Sequence, residues 1–289
     1  MLEETSPRKG EVFFCIFATV FINTIFNMAL IQSYEKSGNF LFKYRGQIPA
    51  FILVLAVPIL FFTNQNLYVR LALGEADTLR IIISIIAILV SICGLVLRAY
   101  TVSTTPKGTS GRNTDKQVAK QLNTKGIYSV VRHPLYLANY LIWAGILIFS
   151  LNIWAFIIVS LVYWIYYERI MFAEEAYLRQ QFGEDFEQWA ARVPAFIPKF
   201  SLAQKGEMLF SFKTFVRREY VTIFSTVFSF VVVDYLLFLC VNIHSLQNTT
   251  ATDWIRPSLI VLAVCLIGML VIKYIKHHTK LLVSDRTRD

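Results

Sequence analysis

The 289-residue chain is 56% hydrophobic and 16% charged, where a soluble domain carries about 25% charged residues. Its apolar residues gather in long runs, which excludes an ordinary soluble domain and indicates a polytopic membrane protein. The formal net charge of +9 comes from Lys and Arg lying mostly between those runs, a pattern of membrane topology rather than of a nucleic-acid partner.

The polar N-terminal stretch has no signal-peptide layout, so residues 12–33 are expected to persist as a first span. Asn23 and Asn27 share a helical face there and suit interhelical hydrogen bonds. A loop with Lys36, Lys43 and Arg45 leads to a short second span over 48–63, kinked by Pro58. Residues 79–100 form a third span, with Arg98 near its end in a position to snorkel. The polar stretch that follows holds Lys107, Arg112, Lys116, Lys120 and Lys125 and reads as a cytoplasmic loop with a short helix at 115–122.

Pro134 suits the first turn of a fourth span over 135–150, and Asn152 separates it from a fifth over 153–172. So tight a turn makes the two an antiparallel hairpin. It predicts that Arg132 and His133 meet Glu174 and Glu175 at one membrane face. Ionisable groups at the edges of apolar segments are costly, and these are candidate functional residues. Beyond the hairpin, Ala176, Phe182, Phe186 and Trp189 can share a face of an interfacial helix, either continuous or broken at Gly183.

Lys199, Lys205, Lys213, Arg217 and Arg218 keep the next segment cytoplasmic. Two more spans over 221–241 and 259–275 and a basic tail complete about seven spans, with the N-terminus outside. Asp234, inside the sixth, is read either as a functional carboxylate or as one bonded to a tyrosine or backbone group of a neighbouring helix. Cys15, Cys93, Cys240 and Cys265 fall in apolar segments without metal-ligand spacing, so neither a metal site nor a disulfide framework is indicated. The chain divides into N-terminal helices (1–110), a core (111–200) and a C-terminal pair (201–289).

Within the core, Tyr128, Arg132-His133-Pro134-x-Tyr136, Asn152 at the hairpin turn, Glu174-Glu175-x-x-Leu178, Phe182-Gly183 and Val193-Pro194 come in a specific order. That order resembles the isoprenylcysteine carboxyl methyltransferase family, over residues 111–198. The resemblance implies an all-α membrane enzyme that moves a methyl group from S-adenosylmethionine to a lipid or lipidated acceptor, with its cofactor pocket on the cytoplasmic face. It also implies cofactor contacts at Asn113, Lys120, Gln121, Leu122, Asn123, Tyr128, His133, Pro134, Leu135, Tyr136 and Glu174. The Gly-x-Gly-x-x-Gly fingerprint is absent, which argues against a soluble methyltransferase domain.

One position departs from the family. Where its prenylcysteine enzymes place an arginine four residues before the first glutamate, this chain has Ile170, preceded by Arg169. The expected acceptor is therefore an anionic lipid phosphate or carboxylate. Arg169, Arg132 and Glu175 are the candidate catalytic residues, and Arg169 reads equally as a snorkelling side chain. An anionic oxygen needs no general base, whereas an amine would need one, from His133, Glu175 or Asp234. Phospholipid amine N-methylation, prenylcysteine carboxyl methylation and a non-catalytic relic stay open. A bacterial inner membrane is preferred to an endoplasmic reticulum.

Overall fold

The computed structural model describes residues 30–46, 52, 54, 56–60, 77–106, 119, 121–245 and 255–282, the side chains of 77 and 240–245 excepted. Regular structure among these residues is helical, with no strand. In chain order the helices are α1 (Leu30–Lys43), α2 (Asp77–Thr104), α3 (Pro134–Phe149), α4 (Ile153–Phe182), α5 (Glu184–Ala190), α6 (Phe212–Ser245) and α7 (Pro257–His278). By length and composition α2, α4, α6 and α7 can each cross a membrane, and α3 is a shorter apolar helix.

Most of the expected first span, with Asn23 and Asn27, lies outside the described residues. The basic segment after it differs from expectation: it is helical, as α1, rather than a loop. Its polar letters read as loop, but Gly38 lets α1 lie against the main chain of Arg169 and the methyl of Ala173 in α4. That approach buries Phe42, and burial of this kind outweighs weak local propensity. In the second predicted span, Ile52 and Ala56 pack on Leu147 and Val159 of the hairpin.

The tightest helix pair is α2 with α3. A Cβ on Gly94 would collide with the main chain of Ala138 and Ile142, and one on Gly145 with Ser91 and Ala87. Small residues let the backbones approach, and the Ser91 hydroxyl donates to the Ile142 carbonyl at 2.9 Å. Gly94 and Arg98 lie one turn apart, so this contact also fixes which way Arg98 faces.

The hairpin turns as its sequence indicates. Leu151 takes a left-handed φ of 56°, and the Asn152 side chain accepts from the Ala155 amide at 3.0 Å, capping α4. Helix α4 then runs through Phe182, well past the predicted end of its span, before breaking at Gly183. The φ of 53° and ψ of −121° at Gly183 lie in a region that excludes a Cβ. The turn there folds α5 back, so that Phe186 and Trp189 pack against Leu122 and Tyr128.

Asp234 on α6 receives two hydrogen bonds from Arg256, at 2.7 and 2.9 Å, and one from the Ser258 hydroxyl at 2.8 Å. Its partners are thus at the start of α7. Of the two readings of this carboxylate, the structural one has the geometry, with an arginine and a serine side chain in place of the expected tyrosine or backbone partner.

Candidate functional site

The site begins with main chain. The segment leading into α3 is laced to the segment leaving α5: Arg132 N donates to Pro194 O at 2.9 Å, His133 N to Ala195 O at 3.1 Å and Lys199 N to Val130 O at 2.9 Å. The Trp189 indole donates to the Tyr128 carbonyl at 3.0 Å. Arg132 ties the same seam, donating through Nη1 to Ala190 O at 2.6 Å and Val193 O at 3.1 Å. Val193 and Pro194 therefore form part of a strap across the entrance of the hairpin.

Against this frame, α4 presents its paired glutamates. Glu175 Oε1 is 2.8 Å from His133 Nε2 and 3.0 Å from Arg132 Nε. The Nε contact is an ion pair off the hydrogen-bond axis, while Arg132 Nη2 donates to Glu175 Oε2 at 3.4 Å. Glu174 Oε2 stands 3.6 Å from His133 Nδ1, and Glu174 Oε1 accepts from the Tyr136 hydroxyl at 2.7 Å. The imidazole is thus held between two carboxylates, and the predicted meeting of the hairpin's two ends is present. Burial alone would lower the His133 pKa, but hydrogen bonds and charge from Glu174 and Glu175 carry it above the usual histidine value. Burial pushes the Tyr128 phenol up to about 12, which keeps it neutral.

A cavity of about 360 Å³ opens beside this cluster. Small-molecule sites run from about 300 to 1,000 Å³. Among the residues singled out from sequence, Gln121, Leu122, Asn123, Tyr128, Arg132, His133, Pro134, Leu135, Tyr136, Glu174 and Glu175 border it. Asn113 and Lys120 lie outside the described residues. Arg169 is elsewhere: its guanidinium sits 4.4 Å from the Tyr34 ring and donates to the Ser37 hydroxyl at 3.1 Å, on α1. Five residues separate Arg169 from Glu174, or about 140° around the helix, so the two point apart. Ile170, nearer the azimuth of Glu174, is fully buried in the tyrosine-rich core.

Several lining residues were not singled out as site residues. Arg45 approaches Glu174 at 3.8 Å and lies over the Phe42 ring. Arg98, read as snorkelling, instead turns inward to the cavity beside Asn139 and Tyr167. The signal for Arg98 was its spacing from Gly94, on the face that meets α3.

Comparison with known proteins adds the family context. Residues 82–185 match the phospholipid methyltransferase family model. The matched segment contains Arg98, the hairpin and both glutamates, and ends before the strap. Over 78 residues the chain is 41% identical to a protein-S-isoprenylcysteine O-methyltransferase of Schizosaccharomyces pombe, covering 27% of this chain and 33% of that one. It is 39% identical over 80 residues to protein-S-isoprenylcysteine O-methyltransferase B of Arabidopsis thaliana, covering 27% and 40%. A nickel-cobalt-cadmium resistance protein of Alcaligenes xylosoxydans xylosoxydans is 35% identical over 82 residues, covering 28% and 38%. These matches support the resemblance to the isoprenylcysteine methyltransferase-like family. The chain spans 33% to 40% of the length of these isoprenylcysteine relatives. No solved structure gives a significant match.

Proposed function

We propose that the chain is an S-adenosylmethionine-dependent integral-membrane methyltransferase that methylates an anionic oxygen on a lipid-borne acceptor. The observation that carries this reading is the convergence of Glu174, Glu175, His133, Arg132 and Tyr136 on one ligand-sized cavity at the mouth of an apolar hairpin. The basic residues Lys199, Lys205 and Lys213 after α5 support a cytoplasmic opening.

The cavity suits S-adenosylmethionine in its chemistry. Glu174 offers a carboxylate for a cationic or hydroxyl-bearing part, Tyr128 and Tyr136 offer aromatic faces, and residues 121–123 offer polar backbone. Bound there, the cofactor would be held by Glu174, Tyr128, Tyr136 and residues 121–123 and would supply a sulfonium methyl to an anionic oxygen, a transfer that needs no base to take a proton. Opposite charges cancel in such a step, so the partly buried walls favour it. Arg132 and Glu175 act as positioning residues that hold the strap against His133. His133 holds both glutamates in place.

Calorimetric titration of S-adenosylmethionine into the detergent-purified protein tests the reading. Wild type should bind, and Glu174→Gln and His133→Ala should each weaken binding roughly tenfold or more, as loss of a charge-assisted contact does. A folded wild type that binds nothing would overturn the proposal and favour the relic. The similarity to the S. pombe enzyme favours a second reading, carboxyl methylation of a prenylated cysteine. Mass spectrometry of lipid extracts and of prenylated peptides after turnover separates the two by where the added methyl appears.

A further inference from the structure

Arg98 is the cavity cation with the most elaborate support. It stands six residues before the end of α2, about 9 Å of helix, at a depth suited to a lipid head group. Its Nε donates to Glu219 Oε2 at 2.5 Å and its Nη1 to Asn139 Oδ1 at 2.6 Å. Asn139 is oriented in turn by donating to the Tyr167 hydroxyl at 3.3 Å. Glu219 comes from α6, outside the segment matched by the family model, and is 1% exposed.

A guanidinium has five N–H donors in a planar fork. Two are engaged here, and the rest make no hydrogen bond among the described residues. A carboxylate buried this deeply is retained at a desolvation cost, and one contact it makes is with the inner edge of a cavity-lining arginine. Arg45, the neighbouring cation, stands near Glu174 instead. Arg169 faces α1.

We infer that Arg98 is the residue that binds the acceptor's anionic group, a carboxylate or phosphate at the membrane edge, and that Glu219 and Asn139 aim it. This rests on the methyltransferase reading and adds to it. Arg98 takes the part left open by Ile170, from a different helix. The α6–α7 pair thereby contributes to the site through Glu219.

The test uses the full chain in detergent with two matched probe pairs: N-acetyl-S-farnesylcysteine against its methyl ester, and dioleoyl phosphatidate against dioleoylglycerol. Wild type should prefer the anionic member of one pair, which also tells a carboxylate from a phosphate acceptor. Arg98→Gln should reduce that preference roughly tenfold or more, with S-adenosylmethionine affinity held. Because Arg98→Gln leaves the buried Glu219 without its arginine partner at the cavity, the double variant Arg98→Gln/Glu219→Gln serves as the folded control and should show the same loss. Glu219→Gln alone should raise the acceptor KM with little change in kcat, a split that mere loosening of α6 would not give. Wild type without anion preference, or a double variant that keeps it, overturns the inference while leaving the cofactor reading intact. So does loss of S-adenosylmethionine binding with acceptor preference retained. Absence of cofactor binding in wild type instead removes the reading on which the inference rests.

Discussion

The hairpin core and the α6–α7 pair each set a carboxylate beside an arginine among apolar helices, and the two arrangements close differently. Between α6 and α7, Asp234 takes three hydrogen bonds from Arg256 and Ser258, a cluster complete in itself. Around His133, the contacts of Glu174, Glu175 and Arg132 are shared among several partners beside a cavity. Saturated polar clusters fasten helices together. Clusters bordering a cavity retain capacity for a ligand. Glu219 crosses from one regime to the other, since it is buried on α6 yet bonded to a cavity arginine.

The largest break in this comparison should come from Glu175→Ala. It leaves Arg132 and His133 without their shared anion, and should cost about 3 kcal/mol of stability, together with cofactor binding. Thermal unfolding and calorimetry on one preparation would show both losses. Arg256→Ala should cost about 2 kcal/mol, less because that arginine is a quarter exposed. Cofactor affinity should be unmoved, and Asp234→Asn in the same chain should restore much of the stability. Cofactor binding that falls with Arg256 would erase the distinction between the two regions.

Gly183→Ala forces a side chain into a backbone conformation reserved for glycine, at about 1–3 kcal/mol. It should also loosen Trp189 from Tyr128, visible as a red shift of tryptophan emission. Asn152→Ala removes the α4 cap for about 1 kcal/mol, without touching the cavity. The smallest effect is one of pH. His133 titrates higher in the folded protein than in the unfolded chain, so its stabilisation is complete below about pH 6.5, the unfolded value. It is lost as pH rises through the folded value. Melting temperatures of wild type and His133→Gln should therefore converge as the buffer is made alkaline.

Sequence carried the hairpin and its meeting of charges because both depend on local spacing. A short turn at Asn152 and two apolar runs of similar length leave the chain no other way to return. The inward arginines were harder to read. Arg98 near a span's end has the letters of a snorkelling residue, and only the α2–α3 contact at Gly94 decides its azimuth. Arg169 poses the converse problem, since a shift in register would have brought it toward Glu174 but α4 is regular there and turns it to Tyr34. The helix α1 was missed because its stability comes from Gly38 fitting against α4, a contact that local propensity does not register.

The strap from Val193 to Lys199 has a consequence for the order in which the protein is made. The carbonyls of Pro194 and Ala195 and the amide of Lys199 close the 130–133 segment only after both hairpin helices and α5 have left the ribosome. A nascent chain ending at Phe182 has its glutamates and histidine but no main-chain wall to hold them, and one ending before Glu219 still lacks the anchor of Arg98. The cavity is thus among the last parts of the core to be completed during synthesis. Its charged groups spend that interval at the membrane edge, where water can still serve them.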